Sequence, residues 1–250
     1  MRNAISSGMK QGAGLKLLLC MLGIAVVAGL SATEILIKTF RDMDTISTGF
    51  HNDVVFGALN SDALLQFIPV FAVLPFAGSY IDDLKSKFAR FFLIRTSYRT
   101  YLLSRIITCF LCGGLAVCGG IFLVWGISSV AIIPFEDPSE VLPDSGHLIW
   151  NSMGLLFLNG GFWAVVGMSL STLMESKYIA YASPYVLYYM LVILHERYIP
   201  DCFLLYPREW LQPGRQWPLH QWGPAILILE LTVLFGALFT VKAKRRLKEL

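Results

Sequence analysis

Apolar residues gather along this chain into six long runs, near 17–37, 63–80, 101–127, 148–174, 178–194 and 224–241. Segments rich in charge, Pro and Gly separate them. Runs of this length suffice to cross a hydrocarbon layer of about 30 Å as helices. Helix is the conformation each must take, because lipid offers no partner to a bare backbone N–H or C=O. The pattern predicts an all-α, polytopic membrane protein: six transmembrane helices forming a single membrane domain over 1–250, with no internal repeat. The second and fifth runs are short, which suits helices that tilt little or break off into a protein-lined or water-filled region.

Composition agrees. Of the 250 residues 56% are hydrophobic and 15% charged, and the mean hydropathy is +0.62. A soluble domain carries roughly a quarter charged residues. The net charge of +3 is too small to argue for a nucleic-acid partner, so none is expected.

The distribution of basic residues says more than their sum. Arg2, Lys10, Lys16, Lys177, five Lys/Arg at 242–248, and Lys85, Lys87, Arg90, Arg95, Arg99 and Arg105 share one side with the termini. The other side holds only Lys38, Arg41, Arg197, Arg208 and Arg215. Positive charge stays inside, so both termini are expected in the cytoplasm, in a multi-pass plasma-membrane protein. Trp125, Trp150 and Trp222 fall where the third, fourth and sixth spans should meet the outer interface. A basic start followed by LLLCMLGIAVVAGL and Ser31-Ala32 also resembles a cleavable signal peptide. The apolar stretch runs on through Ile37, longer than a signal core needs, so a retained first span is expected.

The five cysteines suggest no disulfide framework. Cys20, Cys109, Cys112 and Cys118 lie in apolar runs, and the Cys109-x-x-Cys112 spacing has no His or second pair beside it to make a metal or redox centre. They read as small packing residues.

The segment 81–105 is the unusual one, a charged stretch wedged between two spans. At 100° per residue, Ile81, Leu84, Phe88, Phe91 and Phe92 gather on one face of a helix over about 81–94. Asp82, Asp83, Lys85, Ser86, Lys87 and Arg90 spread over the other. That is an amphipathic helix lying on the cytoplasmic membrane surface. It either anchors on anionic lipid or docks on a cytoplasmic partner, and helical phase alone leaves both open.

The outer loops differ. Residues 38–62 are polar, and 129–147 are acidic (Glu136, Asp137, Glu140, Asp144). The loop 195–223 is long and aromatic, which predicts interfacial or re-entrant packing. Within the spans, Gln66, Asn151 and Asn159 read as packing glue or as path-lining groups. Glu230 has no cation in its own helix. It faces a translocation path, pairs with another span or stays protonated. Pro69 and Pro75 remove backbone donors and should bend the second span. The translocation-path candidates are therefore Gln66, Pro69, Pro75, Asn159 and Glu230.

Enzyme motifs are incomplete. His195-Glu196 lacks the second His of H-E-x-x-H, and 167–171 (GMSLS) lacks the last Gly of a nucleophile elbow. Neither a resident cofactor nor a metal is expected.

Residues 67–70 (FIPV), 78–88 (GSYIDDLKSKF), 94–97 (IRTS) and 101–105 (YLLSR) together resemble the membrane subunit of an ABC-2-type ABC exporter. Residues 206–211 (YPREWL), ahead of the last span, are similar to a motif of that family as well. The resemblance implies six spans with both termini inside and a cytoplasmic coupling helix that fits a cleft on an ATPase. The coupling residues would then be Asp82, Asp83, Leu84, Lys85, Lys87, Phe88, Arg90, Phe91 and Arg95. The chain has no G-x-x-x-x-G-K-[ST] loop to cradle triphosphate, so ATP and Mg²⁺ would sit on separate ABC ATPase subunits. A second permease copy or a paralogue would complete the path as a homo- or heterodimer surrounded by membrane lipid. The substrate would be hydrophobic or amphipathic: a peptide, lipid or drug. The alternative reading is a membrane anchor or regulatory interaction subunit that transports nothing and binds lipid through its basic helix.

Overall fold

A computed structural model describes residues 14–42, 46–86, 97–141, 146–218 and 222–249, together with Gly8 and Gly12. The chain is built of helices, in the order α1 (Leu15–Asp42), α2 (Phe50–Leu59), α3 (Asp62–Val73), α4 (Ser79–Lys85), α5 (Tyr98–Ile132), α6 (Gly146–Met174), α7 (Lys177–Ile193) and α8 (Gly223–Glu249). Among the described residues five helices are long and apolar enough to cross a membrane, or six if the bent pair α2–α3 counts as one span. The surface has the character this demands. On α1, Leu15, Leu18, Leu22, Val26 and Leu30 are exposed while Leu17, Cys20, Ile24, Ala28 and Ala32 are buried. Contiguous bare apolar stripes of that kind mark contact with lipid or protein.

The second span departs from the expected single helix over 63–80. α2 and α3 meet at 68°, and the corner falls at Asn60–Ser61 rather than at a proline. Ser61 caps α3, its Oγ accepting from the Leu64 N–H at 3.3 Å, and Asp62 complements the positive end of the helix. Pro69 is accommodated inside α3, whereas Pro75 sits in the turn of 74–78 that ends it. Helix resumes as α4, a separate short piece beyond the bent pair.

α6 is the hub, packing against α3, α5, α7 and α8. Glycines let it approach α5 closely. A Cβ on Gly160 would come within 2.7 Å of the Gly113 carbonyl oxygen, and one on Gly113 within 2.6 Å of the Gly160 oxygen. Backbone touches backbone there, the arrangement small residues permit in membrane helices. Cys109 and Cys112 are buried and free, and the Cys109 thiol donates to the Ala164 carbonyl at 3.3 Å, so this pair does serve packing. Among the described residues no group of His, Cys, Asp and Glu is placed to hold a metal ion.

The all-helical plan carries one addition, a parallel two-stranded pairing of β1 (Ile46–Thr48) with β2 (Glu136–Val141). It joins the loops at the far ends of α1 and α5. Beside it the Glu136 carboxylate accepts from the His51 backbone N–H at 3.1 Å and pairs with the His51 ring at 2.8 Å. Burial alone raises the Glu136 carboxyl, but bonds from His51 and from the Gly49 N–H outweigh it, holding the group below its ordinary value of 4.5. A depressed carboxylate stabilises the fold fully above that unfolded value and loses its contribution as pH falls through the folded one. The melting temperature in detergent should therefore drop below about pH 4.5, and Glu136→Gln should remove its share of that acid-side slope. An unchanged slope in the variant would show that other groups carry it.

The loop after α7 folds back on the bundle. Trp210 is 1% exposed; it stacks on Trp163 with centroids 6.1 Å apart, and its indole N–H donates to the Leu204 carbonyl at 2.8 Å. Gln212 Nε2 donates to the Leu59 carbonyl at 2.9 Å, and Arg208 pairs with Asp62 at 2.9 Å. The packing expected of 195–223 from its aromatic content is present over the described residues.

Candidate functional site

One end of the bundle collects the start of α5, the end of α6, the start of α7, the end of α8 and the whole of α4. α4 is only seven residues long, too short to hold together alone. Side chains fix it from three directions.

The tightest tie is buried. Asp83 and Arg105 are 4% and 5% exposed, and the Arg105 guanidinium is ion-paired to Asp83 Oδ2. The Tyr101 hydroxyl donates to the same oxygen at 2.7 Å. Tyr101 and Arg105 lie four residues apart and so share one face of α5. The guanidinium carbon also lies 5.4 Å from the ring centroids of both Phe76 and Tyr101, within cation–π reach. Burial pushes the Asp83 carboxyl above its ordinary value of 3.8; Arg105 and the Tyr101 hydroxyl pull it back, and neighbouring Asp82 pushes it up further.

A second tie is half-exposed. Lys177, the first residue of α7, reaches Asp82 Oδ2 at 2.6 Å. Gly78, just before α4, lets this contact close, since a Cβ there would lie 2.8 Å from the Tyr181 hydroxyl and 3.0 Å from Lys177 Cγ. The third is apolar: Tyr80 meets Phe239 of α8 edge-on at 4.9 Å. Glu175, at positive φ (55°) in the α6–α7 turn, adds a link to Arg246 of α8 at 2.5 Å.

Of the expected coupling residues, Asp82 and Asp83 thus face α7 and α5, Leu84 packs partly buried against the local core, and Lys85 is exposed. Lys87, Phe88, Arg90, Phe91 and Arg95 lie outside the described residues, and with them most of the helix expected over 81–94. Helical phase places Asp83 on a solvated face, whereas the structure buries it. The wheel treats lipid as the only apolar medium, and here α5 supplies a second one with a guanidinium set in it. The Tyr101-x-x-x-Arg105 spacing is the signal for that partner face.

The expected path residues are not brought together. Gln66 is partly buried, Pro69 and Pro75 are buried, and Asn159 is buried with neither amide atom hydrogen-bonded among the described residues. Glu230 points outward from α8 between exposed Ile226, Leu229, Val233 and Leu234. Among the described residues no other span pairs with it. None of the five lines the cavity at the opposite end of the bundle.

Two ion pairs and one aromatic contact thus form a latch that ties one short helix to the ends of three long ones. Comparison with known proteins finds one family model, described as a protein of unknown function (DUF2705), matching residues 18–245. No curated protein and no solved structure matches.

Proposed function

The chain belongs to the DUF2705 family, and we propose that it is the membrane-spanning permease subunit of an ATP-driven exporter, moved through α4 by a separate ATPase. The latch carries this reading. α4 is bound by a buried ion pair to α5 and by a half-exposed one to α7, so a displacement of α4 is passed to the starts of two long helices. A helix whose task is to rest on lipid offers the bilayer its apolar side and leaves its acids in water. α4 instead spends Asp83 on protein, which favours transmission over anchoring.

In this reading the bent pair α2–α3 is the second of six spans, and the latch end faces the cytoplasm with both termini. Exposed Lys85 marks the docking surface. ATP and Mg²⁺ belong to the partner, because the sequence has no phosphate loop. Two permeases, identical or paralogous, complete a path for a hydrophobic or amphipathic substrate.

The test is recovery of the tagged chain from its native membrane. A co-purifying phosphate-loop ATPase is expected, hydrolysing ATP faster in the complex than alone. Lys85→Glu, at an exposed position, should abolish that acceleration without changing the melting temperature. Recovery without any ATPase, or a variant that keeps the acceleration, overturns the proposal and leaves the lipid-binding anchor standing.

A further inference from the structure

The opposite end of the bundle holds a cavity of about 1120 Å³, open on one side. Its walls are the α2–α3 corner, the first turns of α6, residues 211–214 and the start of α8. Phe56, Leu65, Leu155 and Leu158 make it largely apolar, and Asn60, Asn151, Ser152 and Gln212 supply its polar side chains. Among the described residues no Asp, Glu, Lys, Arg or His lines it.

Two observations mark it as a site rather than a packing defect. The first is the broken helix. Irregular backbone at membrane depth is tolerated where it lines a cavity or is buried in protein, and paired half-helices are where membrane carriers bind small solutes. The corner's own backbone is already cared for: Gln212 takes the Leu59 carbonyl, and the Ser61 hydroxyl donates to the Ala58 carbonyl at 2.7 Å. The second is what remains after that. The side-chain amides of Asn60 and Asn151 make no hydrogen bond among the described residues, and both line the chamber, so they are available to a ligand's polar group. The nearby Asp62 carboxylate is already paired with Arg208. Ligand pockets of several hundred to about a thousand Å³ combine apolar walls with a few convergent polar groups in this way.

We infer that this cavity binds an uncharged amphiphile, its apolar chain along the α6 wall and its hydroxyl, ester or amide headgroup at Asn60 and Asn151. An ionic headgroup would find no counter-charge among the described lining residues and would have to shed its water without compensation. Trp150 and Trp222, both exposed at the rim, are the residue type that settles at the headgroup level of a bilayer, where such a ligand enters sideways. The inference names the substrate class of the proposed exporter and rests on its membrane-spanning reading.

The test needs no ATPase, so its failure and that of the exporter reading are separable. The full chain in phosphatidylcholine nanodiscs is exposed to a diazirine-bearing monoacylglycerol, and labelled peptides are mapped. Labelling is expected on the peptides holding Phe56–Leu65 and Leu155–Leu158, displaced by excess monoolein and not by oleate. Asn151→Asp, which puts a charge at an exposed position, should reduce it about tenfold, the scale of one headgroup contact. Leu155→Trp should do the same by filling the chamber, and Leu229→Trp, on the open face of α8, should not. Should Leu155→Trp fail to fold, Asn151→Asp decides alone. Labelling spread evenly over the bare faces of α1 and α8, equal displacement by oleate, or indifference to Asn151→Asp overturns the inference.

Discussion

Asp83→Ala is expected to cost about 3–5 kcal/mol of unfolding free energy, because it strands the Arg105 guanidinium inside protein with no counter-charge. The size follows from burial. An exposed pair such as Asp62–Arg208 contributes at most about 1 kcal/mol, and its removal returns both groups to water. Arg105 cannot return to water without pulling α5 away from Phe76 and Tyr101. The double variant Asp83→Ala/Arg105→Leu should recover most of the loss, since an apolar replacement of a buried pair is often neutral. Unfolding in mixed micelles, read by near-ultraviolet circular dichroism, gives all three values. A single-variant loss below about 1 kcal/mol would place Asp83 in water. A double variant no better than the single would mean that the Tyr101 contact, rather than the stranded charge, sets the cost.

Gly160→Leu is expected to leave little folded protein. Overpacking a core side chain costs about 1–3 kcal/mol when neighbouring side chains can move aside. At this crossing the obstacle is the Gly113 carbonyl, with Val117 Cγ2 also at 2.7 Å, and a carbonyl oxygen yields only if the whole of α5 shifts. Even Gly160→Ala meets it. Gly126 on the same α5 has nothing within 4 Å of its would-be Cβ, so Gly126→Ala should be neutral or stabilising by up to about 1 kcal/mol through helix propensity. The folded yield after detergent extraction, measured for the three variants side by side, tests the seam. Equal yields would mean that α5 and α6 are not in contact there.

The two positions also show what could be read from the chain in advance. The long helices are legible because each apolar run exceeds any need of a soluble core, and their ends differ from expectation mainly by extension. α5 runs over Tyr98–Ile132 where 101–127 is apolar. The second span is harder. Its two prolines draw attention, but the corner is at Asn60–Ser61, where a ten-residue helix with a polar first turn (Phe50-His51-Asn52-Asp53) gives way to a capped one. A helix that short carries too weak a periodic signal to stand out of a loop. The acidic pair is visible as a pair, yet the burial of Asp83 depends on a partner eighteen to twenty-two residues away on another helix. The β1–β2 pairing lies further still beyond local pattern, since it joins two loops separated by α2 through α5. The Asn60–Asn151 chamber depends on four separate stretches meeting, which no single stretch announces.

The glycine seam and the latch sit at different points along the same rod. From Arg105 to Gly113 α5 rises about 12 Å, and from Gly113 to Ile132 about 28 Å, at 1.5 Å per residue. Gly113 is hemmed in from two sides, since a Cβ there would come within 2.6 Å of the Gly160 carbonyl of α6 and 3.1 Å of the Ala72 carbonyl of α3, which makes it the natural fulcrum. The long arm is more than twice the short one. Any rocking about Gly113 is therefore geared: an ångström at the latch becomes more than two where α5 hands over to β2, with the direction reversed. In the proposed exporter a push at the latch would be traded for longer travel at the opposite end of the bundle.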